Sequence, residues 1–268
     1  MVNSGAISKE EMLTYSIDIM SGLLTLNDAG EDVEMPYLRG LFNLARAYTA
    51  NDSVLAAIEL YRKCLAMNEV MFKDTAVDTY KGNMVEVYSK IATCYELMAD
   101  EIDTSHAELW NYRAIDARDT MITLLKDLSA DGDVNNTYRA AVQYKNNAIV
   151  FYDLDMLPSA QDYMDQSIEL LQMLYNSEYK TEVEEDLIFH YYLKGVMYEE
   201  KGNNDEKAVE NFRKAVEYGE NADTSEGVSR YYFMAVNELI EQLSKDSATN
   251  SKEIAKLTKI QKNLKKLF

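Results

Sequence analysis

One side-chain arrangement returns along this chain in the same order. Leu41, Leu44, Ala45 and Tyr48 set it out; Tyr88, Ile91, Ala92 and Tyr95 repeat it, as do Tyr144, Asn147, Ala148 and Phe151. A shortened form, Gly195, Tyr198 and Gly202, follows. Steps of three, four and seven residues place each set on one face of an α-helix. The small residue in the middle of that face lets a second helix approach closely. A helical unit that recurs in this way buries its apolar face against its neighbours, so the chain is constrained to an array of packed helices.

The rest of the sequence agrees with an all-α class. Only 2 Pro and 10 Gly interrupt 268 residues, which leaves helices free to run long. Polar clusters separate apolar-periodic segments near 50–53, 72–75, 103–105, 130–136, 154–158, 177–181, 202–205, 220–225 and 246–250, which predicts about eleven helices and no strand. Ser8 with Glu11 reads as a capping box ahead of Met12, Leu13, Tyr15, Ile17, Met20, Leu23 and Leu24, with a turn around Asn27 to Gly30. Ser105 with Glu108 reads as a second box, and Pro158 suits a first helical turn.

Second helices follow the first ones at a fixed offset. Ala57, Tyr61 and Cys64 follow the Leu41 set, Ala160, Met164 and Ser167 follow the Tyr144 set, and Ala208, Phe212 and Ala215 follow Gly195 after a one-residue insertion. The helix from Ser105 fits only loosely behind the Tyr88 set, and Tyr231, Met234 and Ala235 open a possible fifth unit. This pattern resembles the tetratricopeptide repeat (TPR) family, with Asn147 and Met164 as departures. The small first-helix positions lie 47 residues apart (Ala45 to Ala92), then 56 (Ala92 to Ala148) and 47 (Ala148 to Gly195). The family repeat is about 34 residues, so the resemblance is to a divergent array with lengthened units. It implies a right-handed superhelical array of antiparallel helix pairs, a TPR-like solenoid. The expected divisions are an N-terminal capping helix at 1–35, repeats at about 36–70, 76–129, 135–177, 182–220 and 225–245, and a capping helix at 246–268.

Charge bounds the partners. The formal net charge is -19, which opposes nucleic acid and anionic membranes. The distribution is uneven: seven Lys stand against Asp246 and Glu253 in residues 245–268, making that tail +5 and the remainder -24. Ile254, Leu257, Ile260, Leu264, Leu267 and Phe268 share one arc of a helical wheel there, which suits a cap over the last repeat better than a membrane-surface helix. No stretch approaches the length of a spanning helix, and Lys9, Glu10, Glu11 and Asp18 near the start do not suit a signal peptide. The opening MVNSGA leaves room for a removed leader. Cys64 and Cys94 are too few for a disulfide framework, and a cytoplasmic location is expected.

Catalytic and metal chemistry find little support. His106 and His190 stand alone, without the spacing of a metal site. Asp131, Asp133 and Asn135 open like a calcium loop, but Asn136 and Val142 occupy the places of its glycine and bidentate glutamate. Glu182, Glu184, Glu185 and Asp186 read as a solvated acidic helix start. Cys64 and Cys94 are expected to be neighbours, and Trp110 to pack in the core. Neither a cofactor nor enzyme activity is expected.

What the resemblance implies is binding in a groove lined by first helices. The groove positions are Arg39, Phe42, Asn43 and Arg46; Glu86, Ser89, Lys90 and Thr93; Lys145, Asn146, Ile149 and Tyr152; and Phe189, Tyr192, Val196 and Glu199. Four of them are basic in an acidic chain, which favours an acidic protein or peptide partner; pairing of these cations with acids of neighbouring helices is the competing reading. A two-carboxylate clamp is incomplete, because Ile149 follows Lys145 and Ala50 follows Arg46 at four residues. The expected function is a non-enzymatic protein- or peptide-binding scaffold. The alternative is a sensor whose array changes curvature or oligomeric state on binding a ligand.

Overall fold

A computed structural model describes residues 8–28, 34–130, 132–222 and 229–267. The opening MVNSGA, the turn residue Gly30, Asp131, Ser225 and Phe268 lie outside the described residues. The described residues hold eleven α-helices and no strand: α1 (Lys9–Asp28), α2 (Glu34–Ala50), α3 (Val54–Thr75), α4 (Asp78–Leu97), α5 (Ala107–Leu128), α6 (Val134–Asp153), α7 (Leu157–Tyr175), α8 (Lys180–Glu200), α9 (Asp205–Asn221), α10 (Arg230–Ser244) and α11 (Ser247–Leu264). None is long and apolar enough to cross a membrane. Two compact units divide the chain, Met1–Asp133 and Val134–Phe268. Within each unit consecutive helices pack on one another, and in the second α8 also meets α10. Connections of a few residues fold successive helices back as antiparallel pairs.

In the first unit the recurring face forms the core. Ala45, Ala57, Cys64 and Tyr61 are almost wholly excluded from solvent, together with Leu41, Ile91 and Ala92. Ser8 and Glu11 close a reciprocal box at the start of α1: Glu11 accepts from the Ser8 amide at 2.8 Å and Ser8 Oγ accepts from the Glu11 amide at 3.1 Å. The apolar run behind it divides. Met20 is buried with its sulfur close to Gly40 of α2, whereas Tyr15, Ile17 and Leu24 face solvent.

The second expected box does not form. Ser105 Oγ donates instead to Asp103 at 2.9 Å, and α5 starts after a π-helical turn (Met98–Ile102) and a 3-10 turn (Thr104–His106). These turns lengthen the unit between Ala92 and Ala148. The loose fit of α5 also has a cause. Its buried stripe runs Ala114, Arg118, Met121, so a guanidinium lies where α3 and α9 carry the rings of Tyr61 and Phe212. Arg118 pairs with Glu96, and burial lowers its pKa to about 10.

In the second unit Ala148, Ala160, Met164, Ala208, Phe212 and Ala215 show no exposed surface. Met164 occupies the expected aromatic place, and the adjacent Tyr163 supplies rings instead, 5.1 Å from Phe151 and 5.8 Å from Tyr144. Gly195 is small for a visible reason: a Cβ there would lie 2.5 Å from the Phe212 ring. The acidic helix start is not fully solvated. Glu184 is buried, Asp186 accepts from the Tyr138 hydroxyl at 2.8 Å, and Glu185 accepts from Ser229 at 3.4 Å. Leu257 and Leu264 of α11 are buried beside α10, while Lys252, Lys259, Lys262, Lys265 and Lys266 are exposed.

Candidate functional site

A cleft of about 580 Å³ opens in the first unit between the first helices α2 and α4, with α3 behind it. Helical spacing builds both walls. Arg39, Phe42, Asn43 and Arg46 come from α2, and Thr79, Asn83, Glu86 and Lys90 from α4. Leu38, Val87, Cys64 and Asn68 form a buried floor. Phe42 is held edge-on to Tyr61 at 5.5 Å, which fixes an apolar ring between the two arginines of its helix.

The polar floor is ordered. Asn68, 1% exposed, donates to the Cys64 carbonyl at 2.8 Å and accepts from Asn83 Nδ2 at 3.1 Å. That bond spends one Asn83 donor and leaves the remaining amide functions of a half-buried side chain at the cleft. Arg39, Arg46 and Lys90 are exposed, and none of them is in an ion pair among the described residues. Three cations and Glu86 thus line one cleft of a strongly acidic chain, and no ion pair joins the three cations to acids of neighbouring helices among the described residues.

Cys64 is an inert part of the floor. Burial pushes its thiol up to about 12, and burial raises the Cys94 thiol as well. Both cysteines are free, and both lie close enough to Tyr61 to influence its hydroxyl.

Six of the eight groove positions expected in this unit therefore line the cleft: Arg39, Phe42, Asn43, Arg46, Glu86 and Lys90. Ser89 and Thr93 do not; Thr93 donates its hydroxyl to the Ser89 carbonyl at 3.1 Å. Asn83 and Thr79 were legible one and two turns before Glu86 on the same stripe. Asn68 was not, since it comes from a second helix.

The eight remaining positions lie in the other unit and do not extend this basic character. Lys145 sits 5.9 Å from the Phe189 ring. Tyr152 donates its hydroxyl to Glu200, while Lys201 lies 4.2 Å over its ring and donates to its carbonyl at 2.6 Å. Phe189 and Tyr192 approach Tyr231 at 4.4 and 6.2 Å. Glu199 accepts from Gln242 Nε2. Asn146, Ile149 and Val196 are half-buried. A separate cleft of about 400 Å³ in this unit, with Asp165, Gln172, Tyr191, Lys194 and Lys207 in its lining, contains none of the expected positions.

The histidines take unrelated roles. His106 is exposed and bonds Asp103 at 2.9 Å, and Trp110 donates to the same carboxylate at 2.9 Å while stacking on Tyr95. His190 is buried. Among the described residues no group of three or more His, Cys, Asp or Glu could hold a metal ion.

Comparison with known proteins follows the same two places. The tetratricopeptide repeat profile matches residues 38–70 and 191–220, that is α2 with α3 and α8 with α9, and the chain carries TPR units there. No curated protein matches the sequence. The crystal structure of BtubC (BKLC) from P. vanneervenii aligns over 97% of this chain and 92% of that one, at 14% identity and a TM-score of 0.55, a likeness of fold alone. The crystal structure of MamA protein aligns over 79% of this chain and 94% of that one at 22% identity and a TM-score of 0.42. A de novo designed helical repeat protein, DHR64, aligns over 97% of this chain and all of that one at 16% identity and a TM-score of 0.22.

Proposed function

We propose that this TPR-bearing chain is a non-enzymatic interaction module whose N-terminal unit holds an acidic, extended segment of a protein partner in the cleft between α2 and α4. The observation that carries the reading is the trio Arg39, Arg46 and Lys90, which share one cleft without an ion pair among the described residues. Cations left unpaired at a concave surface attract carboxylates, and partial desolvation strengthens the attraction. Phe42, between Arg39 and Arg46 in the sequence, supplies an apolar anchor, and Asn43 and Asn83 supply amides for a peptide backbone. Repeats of this kind generally mediate protein interaction, and the two free, unreactive thiols suit a cytoplasmic setting.

The test uses the full chain and a fluorescent peptide of alternating glutamate and serine. Reversal of the trio (R39E, R46E, K90E) is expected to weaken binding at least about a hundredfold, since each reversal replaces an attraction by a repulsion. The exposed positions of all three leave the fold intact. Binding that is unchanged by the triple reversal would show that the cleft is not the site.

A further inference from the structure

We propose that the C-terminal unit carries a second binding face, built on α8 and α10, that takes the arginine or lysine side chains of a basic segment of a partner protein. It is independent of the N-terminal cleft and opposite to it in sign.

The carboxylates come from two helices in contact. Glu199 and Glu200 end α8, and Glu238 and Glu241 occupy the second half of α10. None of the four is in an ion pair among the described residues. Lys245, whose charge reaches Glu199, is held on Asp205 at 3.0 Å. The carboxylates crowd one another: burial first, then Glu199, Glu241 and Glu200, raises the pKa of Glu238, and burial raises that of Glu199 against the lowering by the Gln242 hydrogen bond and the Lys245 charge, with Glu241 and Glu200 adding to the rise. Tyr192 stands among them, its hydroxyl pKa raised by burial and then by Glu238, Glu199 and Glu200.

A second observation points to a missing donor. Gln242 is 4% exposed and directs its Nε2 at Glu199, yet its Oε1 has no hydrogen-bond partner among the described residues. A buried carbonyl without a donor is unfavourable, and so is a half-buried carboxylate without an ion pair. A guanidinium or ammonium entering beside Glu199 relieves both.

A ring next to the carboxylates, Tyr192, favours a side chain over a free ion, and two further rings continue from it. Phe189, Tyr231 and Tyr192 form a half-buried series at 4.4 and 6.2 Å spacings. Such rings pack against the aliphatic stem of lysine or arginine and attract its charged end. Four carboxylates spread along two helices suit several cations of one chain, hence a polypeptide.

The experiment measures anisotropy of a labelled peptide of alternating arginine and serine with the full chain. The double substitution E199Q/E238Q is compared with E206Q/E210Q, which removes two exposed charges from α9. Glutamine at 199 still accepts from Gln242, so the face keeps its shape. E199Q/E238Q is expected to weaken binding at least about tenfold and E206Q/E210Q less than about twofold, with the glutamate-serine peptide bound as before by both. Equal weakening by the two pairs overturns the proposal, because the general field of the acidic chain then explains binding. Sedimentation of the chain alone gives a further arm: self-association abolished by E199Q/E238Q would assign the face to the lysine-rich α11 of a second copy and overturn the separate partner.

Discussion

His190 should give the chain a stability that depends on pH in a way one substitution can isolate. The side chain is 2% exposed, and its Nδ1 donates to the Asp186 carbonyl at 2.5 Å, which places the tautomer's hydrogen there. Nε2 has no hydrogen-bond partner among the described residues. A proton added at Nε2 finds no acceptor, burial opposes the charge, and Lys145 repels it, so the pKa falls from 6.5 to about 4. The sign follows from linkage. Between these two values the unfolded chain binds a proton that the folded chain refuses, and stability falls as pH drops below 6.5. Each pH step of one below that point weighs about 1.4 kcal/mol against the folded chain, so lowering the pH from about 8 to about 5 costs about 2 kcal/mol at this residue. Other groups titrate too, and the comparison must therefore be a difference. Urea unfolding of the wild type and of His190→Gln at the same two pH values supplies it. Glutamine lowers stability at both values but lacks the proton, so its loss between them should be smaller than that of the wild type by about 2 kcal/mol. Equal losses would refute the reasoning and mean that a proton is accommodated in the folded state.

Gly195→Ala should lower stability by about 1–3 kcal/mol, because its Cβ would meet the wholly buried Phe212 at 2.5 Å and no open surface lets that ring retreat; thermal unfolding checks it, and an unchanged midpoint would mean the α8–α9 contact is loose. Glu238→Gln should stabilise the free protein at about pH 7. A carboxyl whose folded pKa is raised loses stability as pH rises through that pKa, so removing the charge removes the penalty, and the gain over wild type should disappear near about pH 4.

Much of this molecule can be read from its residues. The set Leu41, Leu44, Ala45, Tyr48 with Ala57, Tyr61 and Cys64 places α2 and α3, because close helix contact admits few residue types at those positions. The same logic extends along α2 to Arg39, Phe42, Asn43 and Arg46, whose spacing fixes a shared outer face. It weakens where packing is met by unusual means. Arg118 with Glu96 fills the place of a ring in α5, and Tyr163 delivers its ring one residue away from Met164, so neither appears in a pattern search. Asn68 and Gln242 are polar residues from second or later helices that look like surface positions until burial is known. Repeat position alone groups Lys145 with the basic cleft. Lys145 belongs to the second compact unit, which begins at Val134, and the sequence before it resembles the other polar stretches in composition. Ser105 fails as a cap because Asp103, two residues earlier, offers its hydroxyl a charged acceptor.

The central claim is that an acidic segment occupies the cleft between α2 and α4, and amide exchange measured with and without the glutamate-serine peptide tests it most directly. The account predicts added protection in the segments containing Arg39 to Arg46 and Asn83 to Lys90, with α8 and α10 unchanged. Protection confined to α8 and α10, or spread evenly over the helices, would contradict it.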